Sequence, residues 1–158
     1  MDLKLKNKHA FITGASKGIG LACARSFAEE GAHVSLVARD LATLEAAKKT
    51  LESEFPQAQI AVFPADLKDD KAALDAIDKA QARFGEIDVL VNSAGAAKRT
   101  PAAELTHAMR RAAVDAKFFT YVNVMDPVVK RMANRGEGVI GNVIGAGGKA
   151  ANPIHLPG

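Results

Sequence analysis

The run Thr13-Gly14-Ala15-Ser16-Lys17-Gly18-Ile19-Gly20 places three glycines where an apolar run gives way to a helical pattern. Gly14 allows a tight turn out of a strand, Gly18 lets the backbone come close to a pyrophosphate, and Gly20 lets the helix pack close to the sheet. The N–H groups freed there, with the positive end of the helix, favour an anion. The alternative is a plain strand-to-helix turn, which glycines also serve. The spacing is Gly-x-x-x-Gly-x-Gly rather than the Gly-x-Gly-x-x-Gly of the usual dinucleotide fingerprint. Other residues with chemistry are sparse. His155 is suited to acid/base work near neutral pH, although a lone loop histidine is more often a surface residue. Asp115 could shape a proton network or be a structural helix-face carboxylate. Ser16 and Ser93 have no histidine placed by a motif as a partner, so a hydrolase triad is unsupported. Gly145-Ala146-Gly147-Gly148 reads as a substrate-side loop or a second anion nest.

The elements that must position these residues alternate along the chain. Strands are expected at 8–13, 33–38, 59–63, 87–91 and 138–144. The first helix follows the glycines with Ile19, Ala22, Cys23, Ser26 and Phe27 as its apolar stripe, and Gly31 ends it. Asp40 caps a second helix with Leu41, Leu44, Lys48, Leu51 and Phe55 on one stripe, and Pro56 lies beyond its end. Asp69 or Asp70 caps a third helix carrying Leu74, Ile77, Ala80 and Phe84. A long helical stretch over 102–133 is expected to break or kink near Pro127. Strand and helix alternation predicts an α/β fold, a doubly wound parallel sheet of Rossmann topology in three α/β/α layers. One domain, 1–158, accounts for the whole chain.

Four motifs in order then resemble the short-chain dehydrogenase/reductase family. They are the Thr-Gly-x-x-x-Gly-Ile-Gly loop, Asp66-Leu67 after the third strand, Asp88-Val89-Leu90-Val91, and Asn92-Ser93-Ala94-Gly95 after the fourth, with Ser93 replacing a second Asn. The resemblance implies an oxidoreductase that moves hydride between a nicotinamide cofactor and a small carbonyl or alcohol substrate. It implies a cofactor site built from Gly14, Ser16, Lys17, Gly18, Ile19, Gly20, Arg39, Asp66, Leu67, Asn92, Ala94 and Gly95. At the end of the second strand, where an acidic residue would accept from ribose hydroxyls, the resemblance places Ala38 followed by Arg39. Arg39 with Lys17 suits a 2′-phosphate, so NADP(H) is expected over NAD(H); the alternative is that Arg39 is a solvated surface charge. The family also implies a homo-oligomer paired through the long helix.

The catalytic pattern departs from that family. Gly145 falls where the family has its Ser, Asp115 stands in the position of its helix Asn, and no Tyr-x-x-x-Lys is present. The only tyrosine, Tyr121, lies on the long helix, and Gly158 falls about where the family's Tyr should stand. Asp115 and His155 are therefore the catalytic candidates. The resemblance also implies further strands and helices beyond the cofactor half. A second class of function is a catalytically inactive NADP(H)-binding protein acting as sensor or subunit.

Bulk composition narrows the field. With net charge +3 and scattered basic residues, neither a nucleic-acid footprint nor a polybasic membrane patch is expected. The single cysteine, Cys23, permits no internal disulfide and no Cys-rich zinc site, and no metal is expected. No apolar stretch approaches a membrane span, so a reducing, cytoplasmic setting is the default expectation.

Overall fold

In a computed structural model, which describes residues 3–95 and 100–145, five strands form one parallel sheet in the order β3-β2-β1-β4-β5. The strands are β1 His9–Thr13, β2 His33–Ala38, β3 Ile60–Pro64, β4 Val89–Asn92 and β5 Val139–Asn142. Between them run α1 Gly18–Glu29, α2 Leu41–Glu54 and α3 Asp70–Phe84. A 3₁₀ turn at Ala102–Glu104 precedes α4 His107–Val114, a π turn Asp115–Phe119 and α5 Thr120–Arg135. This is the Rossmann arrangement expected from the alternation.

Side-chain alternation along the strands feeds two cores. Ala10, Ile12, Val34 and Leu36 point to the face covered by α1 and α2, where they meet Ala24, Ala28, Leu44 and Leu51. Phe11, Val37 and Leu90 point to the other face, against Ile77 of α3 and Val124, Val128 and Met132 of α5. β1 is buried on both faces, which is why it reads as a continuous apolar run rather than an alternating one. Each fully buried Leu, Ile or Phe here contributes about 1.5–3 kcal/mol of transfer free energy.

Two helix expectations need correction. On α1 the expected stripe of Ile19, Ala22 and Ser26 faces outward; the buried residues are Gly20, Ala24 and Ala28, with Cys23 and Phe27 partly covered. Close packing against the strands selects small residues, and Ile19, 60% exposed, is left at the mouth of the groove described below. The same replacement occurs elsewhere: Leu41 and Leu74 are exposed, while Ala47 and Ala73 are buried. The second correction concerns the long helix, which runs unbroken through Pro127. Its irregularity lies instead at Asp115–Phe119, where one turn is wide. β5 is also shorter than expected.

Capping follows the sequence. Asp40 accepts from the Thr43 N–H at 2.8 Å, and Asp69 accepts from those of Lys71 and Ala72. Thr106 caps α4 through the Met109 N–H at 3.2 Å. At the amino ends of the strands Asp88 holds the sheet together. Its carboxylate takes the Lys8 Nζ at 3.1 Å and the His9 N–H at 2.8 Å, with Arg135 at 3.7 Å.

Candidate functional site

All strand carboxyl ends lie at one edge of the sheet, and the order reverses between β1 and β4. An open parallel sheet leaves a crevice at such a switch point. Here it is a cavity of about 940 Å³ extending from the end of β2 to the end of β5.

The glycine loop forms its floor. A methyl on Gly20 would overlap the Gly14 carbonyl oxygen, and one on Gly14 would sit 2.8 Å from the Ser93 carbonyl oxygen. The first turn of α1 therefore packs against the loop and the loop against the segment after β4. Gly18 has open space where a side chain would stand. Lys17 is the N-cap of α1 and makes no side-chain cap, unlike the capping residues of α2, α3 and α4. Unbonded first-turn N–H groups beside a bare glycine are a fitting cradle for a pyrophosphate.

Thr13, fully buried, joins the two loops. Its hydroxyl oxygen accepts from the N–H groups of Ser93 and Ala94, at 3.0 and 3.1 Å. Thr13 is the first residue of the Thr-Gly-x-x-x-Gly-Ile-Gly loop, and a hydroxyl ending a buried strand is the sequence signal for this link.

At the β2 end the cavity is lined by Ala38, Arg39, Asp40 and Thr43, and Ser16 and Lys17 of the glycine loop line it too. Arg39 and Lys17 are exposed and form no ion pair with an acidic residue among the described residues. The Asp40 carboxylate is committed to its cap, and the Thr43 N–H holds it below the usual carboxylate range. Asp66 and Leu67 also line the cavity. Asp66 accepts from the Lys68 N–H at 3.1 Å and pairs with the Lys68 Nζ at 3.5 Å. Asn123 of α5 donates to the Leu67 and Lys68 carbonyls, both at 3.0 Å, and so fixes this loop. No sequence pattern pointed to Asn123.

The structure brings Gly14, Ser16, Lys17, Ile19, Arg39, Asp66, Leu67, Ala94, Gly95 and Asp115 into the lining of one cavity. Gly18 and Gly20 are not part of that lining; Gly20 packs against Gly14, and Gly18 faces open space. Asn92 is placed within the sheet, where its fully buried side chain donates to Asn142 Oδ1 at 3.0 Å. His155 and Gly158 lie outside the described residues. Gly145 is exposed, with open space where a side chain would be.

The β5 end of the cavity is made by the long helix. Asp115, Ala116, Lys117, Thr120 and Tyr121 line it together with Val143. The Tyr121 hydroxyl donates to the Val143 carbonyl at 2.8 Å, and burial pushes its phenol pKa up. The Val143 N–H in turn donates to the Asn92 carbonyl at 2.8 Å. Gly95, at φ +119°, lies so close to the π turn that a methyl there would be 2.7 Å from the Ala116 carbonyl oxygen. Among the described residues, no cluster of three His, Cys, Asp or Glu could hold a metal ion, and no helix is long and apolar enough to cross a membrane.

The chain matches the sequence profile of the family described as short chain dehydrogenase over residues 8–156. It is 35% identical over 157 residues to gluconate 5-dehydrogenase of Gluconobacter oxydans, covering 97% of this chain and 59% of that protein. Among solved structures, L-sorbose reductase of Gluconobacter frateurii, complexed with NADPH and L-sorbose, aligns with a TM-score of 0.83 at 32% identity, over 90% of this chain and 54% of that one. An NADPH-bound short chain oxidoreductase of Pseudomonas aeruginosa, described as containing an atypical catalytic center, aligns with a TM-score of 0.88 at 27% identity, over 97% of this chain and 60% of that one. The chain thus spans under two-thirds of each relative's length.

Proposed function

The chain belongs to the short chain dehydrogenase family, and on that premise we propose that it binds NADP(H) and serves as an oxidoreductase on a small carbonyl or alcohol substrate. The observation that carries the cofactor choice is the β2 end of the cavity. Ala38 offers no carboxylate, Asp40 is engaged as a helix cap, and Arg39 and Lys17 both line the cavity. An acid at that place would repel a 2′-phosphate, whereas a guanidinium grips it through two hydrogen bonds and an ammonium adds a point charge. The NADPH complexes among the solved relatives support the same choice.

On this reading the α1 N-terminus and the glycine loop hold the pyrophosphate, and Asp66 and Leu67 flank the adenine. Ala94 and Gly95 lie beside the path to the β5 end. When bound, NADPH supplies the hydride. The chain's own part is then to orient the carbonyl and deliver a proton to its oxygen. Gly145, in the position of the family's Ser, has no hydroxyl to orient that oxygen, and the Tyr121 proton is held by Val143. Asp115, on the cavity wall, and His155 are the candidates for proton delivery. The Pseudomonas relative described as having an atypical catalytic center supports an enzyme that departs from the usual residues.

A second reading, an inactive NADP(H)-binding sensor or subunit, is favoured by the bare Gly145. Oxidation of NADPH in the presence of ketones, aldehydes and quinones, with binding verified on the same sample, separates the two. Turnover supports the oxidoreductase; binding without turnover supports the second reading; no binding contradicts both. Self-association through the long helix is also proposed. Phe118 and Phe119 on it are 60% and 42% exposed, and a monomeric mass at every concentration would oppose this.

A further inference from the structure

Ala112 and Tyr121 line the same cavity although they are nine residues apart on one continuous helical stretch. At 3.6 residues per turn, nine residues advance an α-helix by about 900°, which puts the two on opposite faces. The wide turn at Asp115–Phe119 resolves this. A π bulge adds one residue to a turn, so Tyr121 falls in phase about 100° earlier and comes round toward the cavity.

Something must favour the wide turn over the α form, since it displaces the usual four-residue carbonyl pairing. Thr120 is 6% exposed, and its single hydroxyl proton is shared between the Ala116 and Lys117 carbonyls, at 3.3 and 3.1 Å. On the other side, the same Ala116 carbonyl is packed against Gly95, where only a glycine leaves it room. Its place in the helix is therefore fixed from both directions.

We propose that Thr120 is a positioning residue: its hydroxyl locks the π turn, and the locked turn sets the helix phase that brings Tyr121 to the cavity wall and onto the Val143 carbonyl. Tyr121 then ties the helix to the end of β5, opposite Arg39 along the groove. The consequence for ligand binding rests on the NADP(H) reading; the helix phase does not.

The chain has one tyrosine and no tryptophan, so phenol absorbance and fluorescence report on Tyr121 alone. In the wild type the phenol titrates above its ordinary value of about 10. In Thr120→Val the titration is expected to fall toward that value, and Thr120→Ser, which keeps the hydroxyl, is expected to match the wild type. Circular dichroism verifies folding, and Thr120→Ala reads the same quantity should the valine variant not fold. A wild-type phenol titration in folded variants lacking the hydroxyl would overturn the proposal, as would equal loss in Thr120→Ser. For the ligand, NADPH affinity is expected to weaken about 3–10-fold in Thr120→Val, the range of one lost hydrogen bond. Adenosine 2′,5′-bisphosphate, a probe of the Arg39 end alone, should bind both proteins equally. Equal weakening of both probes overturns the local role. If the wild type binds neither, the cofactor reading fails, and the phenol titration still decides the lock.

Discussion

The Thr13 hydroxyl oxygen lies 3.0 Å from the Ser93 backbone nitrogen, so a strand-end side chain in the first βα unit fixes the loop after the fourth strand. With the Ala94 N–H also accepted, two backbone donors depend on that one oxygen. Thr13→Val keeps the shape and leaves both donors without it. The expected loss is about 1–3 kcal/mol, as for an unsatisfied buried polar group. Thermal unfolding of Thr13→Val beside Thr13→Ser measures it, and a valine variant as stable as wild type would refute the link.

Gly20 and Gly18 should respond differently to alanine. At Gly20 the methyl meets the Gly14 carbonyl, so α1 must move off the loop. Overpacking of this kind costs about 1–3 kcal/mol. At Gly18 the methyl meets open space, and the strain is that of a side chain at φ +59°, about 1 kcal/mol. Urea midpoints should therefore rank wild type above Gly18→Ala above Gly20→Ala. The reverse order of the two variants would contradict the packing described.

His9 predicts an acid-sensitive stability. Its ring is buried, with Nδ1–H donating to the Gly85 carbonyl at 2.9 Å and Nε2 accepting from the Ser35 hydroxyl at 2.8 Å. Burial lowers its pKa, only partly offset by the Gly85 carbonyl and Asp88 and reinforced by His33. The unfolded chain takes up the proton near about pH 6.5 and the folded one only below that. Stability from the neutral ring is thus complete above about 6.5 and is lost as the pH falls toward the lowered folded value. Melting temperatures between about pH 7.5 and 5.5 should fall more in the wild type than in His9→Asn. Parallel curves would count against this.

The fold was legible because strand runs, glycines and acidic caps each act locally: Asp40 and Asp69 cap the helices that their positions imply. What the sequence concealed depends on neighbours brought from afar. The α1 stripe misled because sheet contact selects Gly20, Ala24 and Ala28 over Ile19, a choice visible only once β1 and β4 lie beneath. Gly14, Ser16, Lys17, Arg39 and Asp66, named from motifs and resemblance, all line the cavity. Asn123, Tyr121 and the π turn were not legible, since each is defined by a carbonyl on another segment or by helix phase. Pro127 drew the expected break toward itself, while the irregularity arose eight residues earlier at the end of the π turn.

The central claim, an NADP(H) site gripped by Arg39 and Lys17, is tested most directly by titrating the wild-type protein with NADPH and NADH beside Arg39→Ala. Two charge-assisted hydrogen bonds to a phosphate predict tighter NADPH binding by about 10–100-fold, largely lost in Arg39→Ala, with NADH affinity little changed. Equal affinities for the two cofactors in the wild type, or a preference for NADPH that survives the substitution, would contradict it.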